Sequence, residues 1–149
     1  MPNDYIHIIL TDDDEDDRLF FIDAFEELSM NTKVTTFNDG VELMDYLNSE
    51  DAILPNVLFL DLNMPKKSGI ECLNEIRANS KMSDIAIAIY STSASEEDIE
   101  ETFVLGANIY IKKPSSFKQL KKVLSEVVSI NWQYHTNSLN KDNFLMRLG

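Results

Sequence analysis

The stretch Val57-Leu58-Phe59-Leu60-Asp61-Leu62-Asn63-Met64-Pro65 runs four apolar side chains without a polar break and ends them on a carboxylate. An apolar run this short fits a strand covered on both faces, the usual state of strands in a parallel sheet. A carboxylate between Leu60 and Leu62 needs a partner or a function, because an unpaired charge beside a core is costly. The same pattern recurs outward from this point. Residues 5–11 form an apolar run that ends on Asp12 and Asp13, residues 85–90 end on Ser91, and residues 108–112 lead into Lys113-Pro114. Residues 33–38 are a fifth, β-branched run.

Helical patterns separate these runs. Residues 15–29 place Leu19, Ile22, Phe25 and Leu28 on one expected face. Val41, Leu43, Met44 and Leu47 follow Asp39-Gly40, and Ile70, Leu73 and Ile76 follow Ser68-Gly69. A more polar helix is expected over 96–105, and a last one carries Leu120, Val123, Leu124 and Val127 behind a cap at Ser115 or Ser116. Five β–α units with short connections predict a three-layer α/β fold, a parallel sheet with helices on both faces. In such a sheet, ligands and chemistry sit outside the carboxyl ends of the strands. Three acids and a lysine would converge there.

The chain of 149 residues is long enough for one well-packed domain, placed at 1–130. Residues 131–149 carry Trp132, Tyr134, Phe144, Leu145, Met146 and Leu148, too apolar for a plain disordered end. This extension is expected to pack on the domain or to mediate dimerisation. A net charge of −13 argues against nucleic-acid binding, which rests largely on Lys and Arg. Cations are nearly absent up to Asp61, where only Arg18 and Lys33 occur, whereas Lys112, Lys113, Lys118, Lys121 and Lys122 crowd one later stretch. Cys72 is the single cysteine, so no intrachain disulfide forms, and it reads as a small buried hydrophobe. No signal peptide is visible and no apolar run approaches the roughly 20 residues of a membrane span, so a cytoplasmic location is expected.

Hard dications take oxygen ligands, and Mg²⁺ typically uses one or two carboxylates while keeping several waters. Asp12, Asp13 and Asp61 offer carboxylates, and the backbone carbonyl of Asn63 lies just beyond. A carboxylate can also attack phosphorus to give an aspartyl phosphate. That reaction needs a lysine on a non-bridging oxygen, for which Lys113 is the candidate, and a hydroxyl, for which Ser91 is.

Taken in order, these motifs resemble the receiver domains of two-component response regulators. The segments are Ile-Leu-Thr-Asp12-Asp13-Asp14, Leu-Phe-Leu-Asp61-Leu-Asn63-Met64-Pro65 with Gly69, Ile-Tyr-Ser91-Thr-Ser, Leu105-Gly106-Ala107 and Tyr110-Ile-Lys112-Lys113-Pro114. The resemblance covers residues from about 5 to 130 and implies a flavodoxin-like strand order, 2-1-3-4-5. It implies Asp61 as phosphoacceptor, Asp13 as a direct Mg²⁺ ligand with Asp12 acting mainly through water, and the Asn63 carbonyl on the metal. It further implies Ser91 as switch hydroxyl, Tyr110 as switch aromatic, Lys113 as the phosphate-binding lysine, and a cis Lys113–Pro114 bond. Asn63 and Ser93 would tune autodephosphorylation. A sensor histidine kinase or histidine phosphotransfer protein would be the donor, and output would pass by contact with a downstream protein. A phosphohydrolase of the haloacid-dehalogenase type would need a second acid where Asn63 stands. A flavodoxin would need a hydroxyl- and glycine-rich loop where Asp12–Asp17 stand.

Overall fold

The structure is a computed structural model that describes residues 5–129 and, as backbone, 145–146. The elements alternate as β1 (Ile6–Thr11), α1 (Glu15–Leu28), β2 (Thr32–Phe37), α2 (Gly40–Leu47), β3 (Val57–Leu60), α3 (Gly69–Ala78), β4 (Ala86–Ser91), α4 (Glu96–Val104), β5 (Ile109–Lys112), α5 (Phe117–Ser129) and β6 (Leu145–Met146). Their order in the sheet is β2-β1-β3-β4-β5-β6, and every pairing is parallel. The expected order 2-1-3-4-5 is therefore present, with a sixth strand added on the outer edge of β5. Apart from that strand, the extension over 131–149 lies outside the described residues.

Alternation along the strands builds two cores. Ile8, Leu10, Val57, Phe59, Ala88, Tyr90 and Ile111 face α1 and α5, whereas Ile9, Leu58, Leu60, Ile87, Ile89 and Tyr110 face α2, α3 and α4. β3 and β4 are buried along their whole length, as a strand covered on both faces requires. Cys72 is buried in the second core, as its reading as a small hydrophobe anticipates.

Two expectations need correction. On α1 the buried residues are Phe21, Ala24 and Phe25, while Leu19 is 53% exposed. Both sets have helical spacing, and the sheet selects the one that brings Phe21 into edge contact with Phe59 and Tyr90. The Lys113–Pro114 bond is trans, as is every described peptide bond. Trans is the intrinsically lower state of an X–Pro bond, by about 0.5–1 kcal/mol.

Candidate functional site

Register brings the strand ends level. Thr11 pairs with Leu60, Leu60 with Ile89, and Ser91 with Lys112. The residues just beyond those pairs therefore meet above one edge of the sheet. The Asp61 amide donates to the Thr11 carbonyl at 3.0 Å, and the Lys113 amide to the Ser91 carbonyl at 2.8 Å. These bonds carry the strand geometry one residue past each strand. The β3–α3 loop then returns tightly: the Gly69 amide donates to the Leu62 carbonyl at 2.9 Å. A Cβ on Gly69 would collide with the Asp61 carbonyl oxygen, so only glycine lets α3 start this close to Asp61. In the same loop Lys66 takes a left-handed φ of 68°, an uncommon state for a residue with a side chain.

Carboxylate oxygens of Asp12, Asp13 and Asp61 lie within 4.8 Å of one another, with Asp12 and Asp61 buried and Asp13 exposed. Lys113 Nζ stands among the acids, 2.8 Å from Asp12 Oδ2, 2.8 Å from Asp17 Oδ2 and 3.4 Å from Asp61 Oδ2. Its ammonium also lies 5.5 Å from the centre of the Tyr90 ring. Burial pushes the Asp61 carboxyl up, Lys113 opposes the rise and Asp12 adds to it, leaving the group at about 6. Burial works against the Lys113 charge too. The close carboxylates of Asp12 and Asp17 outweigh it and hold the ammonium above the ordinary lysine value.

Around this centre, Asn63 follows Asp61 in the loop and its amide donates to Asp61 Oδ1 at 3.4 Å. Ser91 is fully buried and its Oγ accepts from the Ser93 amide at 3.2 Å. Tyr110 is buried within the second core, and its hydroxyl donates to the Ser93 carbonyl at 2.6 Å. The sheet thus gathers Asp12, Asp13, Asp61, Asn63, Ser91 and Lys113 at one end, and Tyr110 reaches the same β4–α4 connection as Ser91. The lysine-rich stretch is not one basic face: Lys113 turns into the site, whereas Lys121 pairs with Glu27 at 3.1 Å.

Asp17 was not singled out. It lies in an acid run at a helix start, where the macrodipole already accounts for acids. Its contact with Lys113, 96 residues away, exists only once the sheet has formed.

The donor set suits a hard dication. It consists of oxygens alone, two of them carboxylates whose burial calls for positive charge. With the adjacent hydroxyl and lysine, it can bind an anionic group against Asp61 and hold that group's oxygens.

Residues 8–125 match the response regulator receiver domain. A probable methanogenesis regulatory protein, FilR2 of Methanothrix harundinacea, is 30% identical over 123 residues, covering 80% of this chain and 79% of its own. The response regulator Rcp1 of Synechocystis sp. is 29% identical over 126 residues, covering 82% of this chain and 86% of its own. The crystal structure of the phosphorylated cyanobacterial phytochrome response regulator RcpA superposes with a TM-score of 0.76 at 33% identity, covering 83% of this chain and 91% of that one.

Proposed function

The chain belongs to the response regulator receiver domain family of two-component signal transduction, and we propose that it accepts a phosphoryl group on Asp61 and answers by changing a protein-binding surface. The observation that carries this reading is the meeting of Asp61, Asp12, Asp13 and Lys113 at the carboxyl ends of neighbouring strands. The donor is a phosphohistidine on a sensor histidine kinase or a histidine phosphotransfer protein. The likeness to a phytochrome response regulator supports a kinase coupled to a photoreceptor.

In the transfer, an Asp61 oxygen forms a bond to phosphorus as the phosphorus–nitrogen bond breaks, and the electron pair of that bond leaves with the imidazole. Asp12, Asp13, Asp61 and the Asn63 carbonyl would hold Mg²⁺, which when bound supplies positive charge against the anionic donor. Lys113 holds a phosphoryl oxygen, and Ser91 presents its hydroxyl to another. Asn63 and Ser93, flanking the site, set the lifetime of the acyl phosphate. The protein catalyses only its own phosphorylation and dephosphorylation, and it works in the cytoplasm.

Tyr110 links the site to the surface. Its inward side chain ties β5 to the Ser93 carbonyl in the β4–α4 connection. Movement of Ser91 toward a phosphoryl group favours this inward arrangement, a shift between states that the unmodified chain already visits.

The test is intact mass after incubation with Mg²⁺ and either acetyl phosphate or a phosphohistidine donor. One phosphoryl group is expected on the parent and none on Asp61→Asn. Equal labelling of that variant would overturn the assignment.

A further inference from the structure

The function proposed for Asp61 and Lys113 leaves one carboxylate at the site unused. Asp17 sits in the first turn of α1, where its amide is fixed by the Asp14 side chain at 3.1 Å. Asp14, Glu15 and Asp16 in the same turn are exposed, whereas the Asp17 side chain is 37% exposed and reaches inward to Lys113. An ammonium has three N–H donors. On Lys113 three carboxylates, Asp12, Asp17 and Asp61, stand around them, and Asp61 is the farthest. A phosphoryl oxygen arriving on Asp61 meets the ammonium at the long contact, and drawing Lys113 closer to it stretches the two shorter ones.

Asp12 is poorly placed to yield. Its side chain is fully buried, and losing the ammonium would strand a charge away from water. Asp17 is open enough to water to be released at small cost. We infer that Asp17 is a positioning residue that holds Lys113 back from Asp61 in the unmodified protein and surrenders it to the incoming phosphoryl group. The contact sets a threshold: the group must outcompete an intramolecular carboxylate before Lys113 engages. This inference rests on the reading of Asp61 as phosphoacceptor.

The experiment measures the affinity of beryllofluoride, a phosphoryl mimic, for the full chain in Mg²⁺ by calorimetry. Four variants are compared with the parent: Asp17→Asn, Asp17→Glu, Asp16→Asn and Asp61→Asn. Loss of one ordinary, half-exposed ion pair predicts tighter binding for Asp17→Asn by about two- to fivefold. Asp17→Glu restores the competing charge and returns the affinity toward the parent value. Asp16→Asn removes the same charge from the same turn without touching Lys113, and should leave the affinity within about half of that change. Equal gains in Asp16→Asn and Asp17→Asn would overturn the inference, because net charge alone would then explain them. Weaker binding by Asp17→Asn would also overturn it and would make Asp17 a support for Lys113. Asp61→Asn separates the two readings. If it binds the mimic as the parent does, or if the parent neither binds it nor takes up phosphate, the assignment of Asp61 itself fails.

Discussion

Asp61 carries its charge where burial penalises it, and that sets a pH dependence. Its carboxyl is raised from an ordinary value of 3.8 to about 6 in the folded chain. A carboxyl raised by folding binds protons more readily in the folded state, so between about pH 6 and pH 4 the contribution of Asp61 to the stability of the metal-free protein rises on acidification. Above that window the charge is a cost. Asp61→Asn should therefore raise the metal-free unfolding free energy at pH 7 by roughly 1–3 kcal/mol, and the gain should vanish near pH 4. Mg²⁺ affinity should fall about tenfold per pH unit below 6, because the proton must leave before the metal binds. Urea unfolding and Mg²⁺ titration across pH 4–8 read both effects, and a pH-independent difference would exclude Asp61 as their source. Asp61 was legible in the sequence because it closes an apolar run with no local partner to explain it, whereas Lys113, alone a solvated lysine, was legible only through its place after the fifth run beside the other motifs. Asp17 was not, since neighbouring acids gave it a sufficient local explanation.

At the scale of elements, local signals set the boundaries and long-range contacts set the faces. Each helix starts behind a side-chain cap that accepts the amide three residues on: Asp14 from Asp17, Asp39 from Glu42, Ser68 from Glu71, Ser95 from Asp98 and Ser116 from Gln119. Those caps can be read from the sequence, as the expected start behind Ser115 or Ser116 shows. The buried face of α1 could not, because two stripes compete and only the sheet chooses. α4 is the lightly held helix, with Thr102 its only fully buried residue, so it is the element with least burial to oppose local opening. Arg77 fixes what lies behind it. From α3 it donates to the carbonyls of Gly106, Ser83 and Ile85 and to Asn108 Oδ1, at 2.8–3.0 Å. None of these partners is acidic, so charge pattern gave no hint of the clamp. Arg77→Ala should cost about 2–3 kcal/mol in urea unfolding by leaving partly buried acceptors unpaired, and Arg77→Lys should recover only part, lacking the fork. A loss below about 0.5 kcal/mol would show that water replaces the clamp.

Taken whole, the molecule is a sheet whose exposed edges must be kept from pairing with other chains. The outer edge of β5 is met by β6, which aligns Leu145 with Tyr110 and Met146 with Ile111. This parallel pairing within one chain favours the extension packing on its own domain over the extension building a dimer. The two alternatives predict opposite results for a variant ending at Asn143. If β6 protects the edge, the truncated chain keeps its fold but exposes the main-chain groups of Tyr110 and Ile111, and it associates more than the parent. Its net charge, near the −13 of the full chain, opposes that association, so the effect should grow as salt screens the repulsion. Sedimentation velocity at low and high ionic strength distinguishes the cases. A parent that dimerises while the truncated chain stays monomeric would assign β6 to the dimer instead. It would also mean that the strand on β5 comes from a second copy, beside Tyr110, where the phosphoryl signal is proposed to leave the domain.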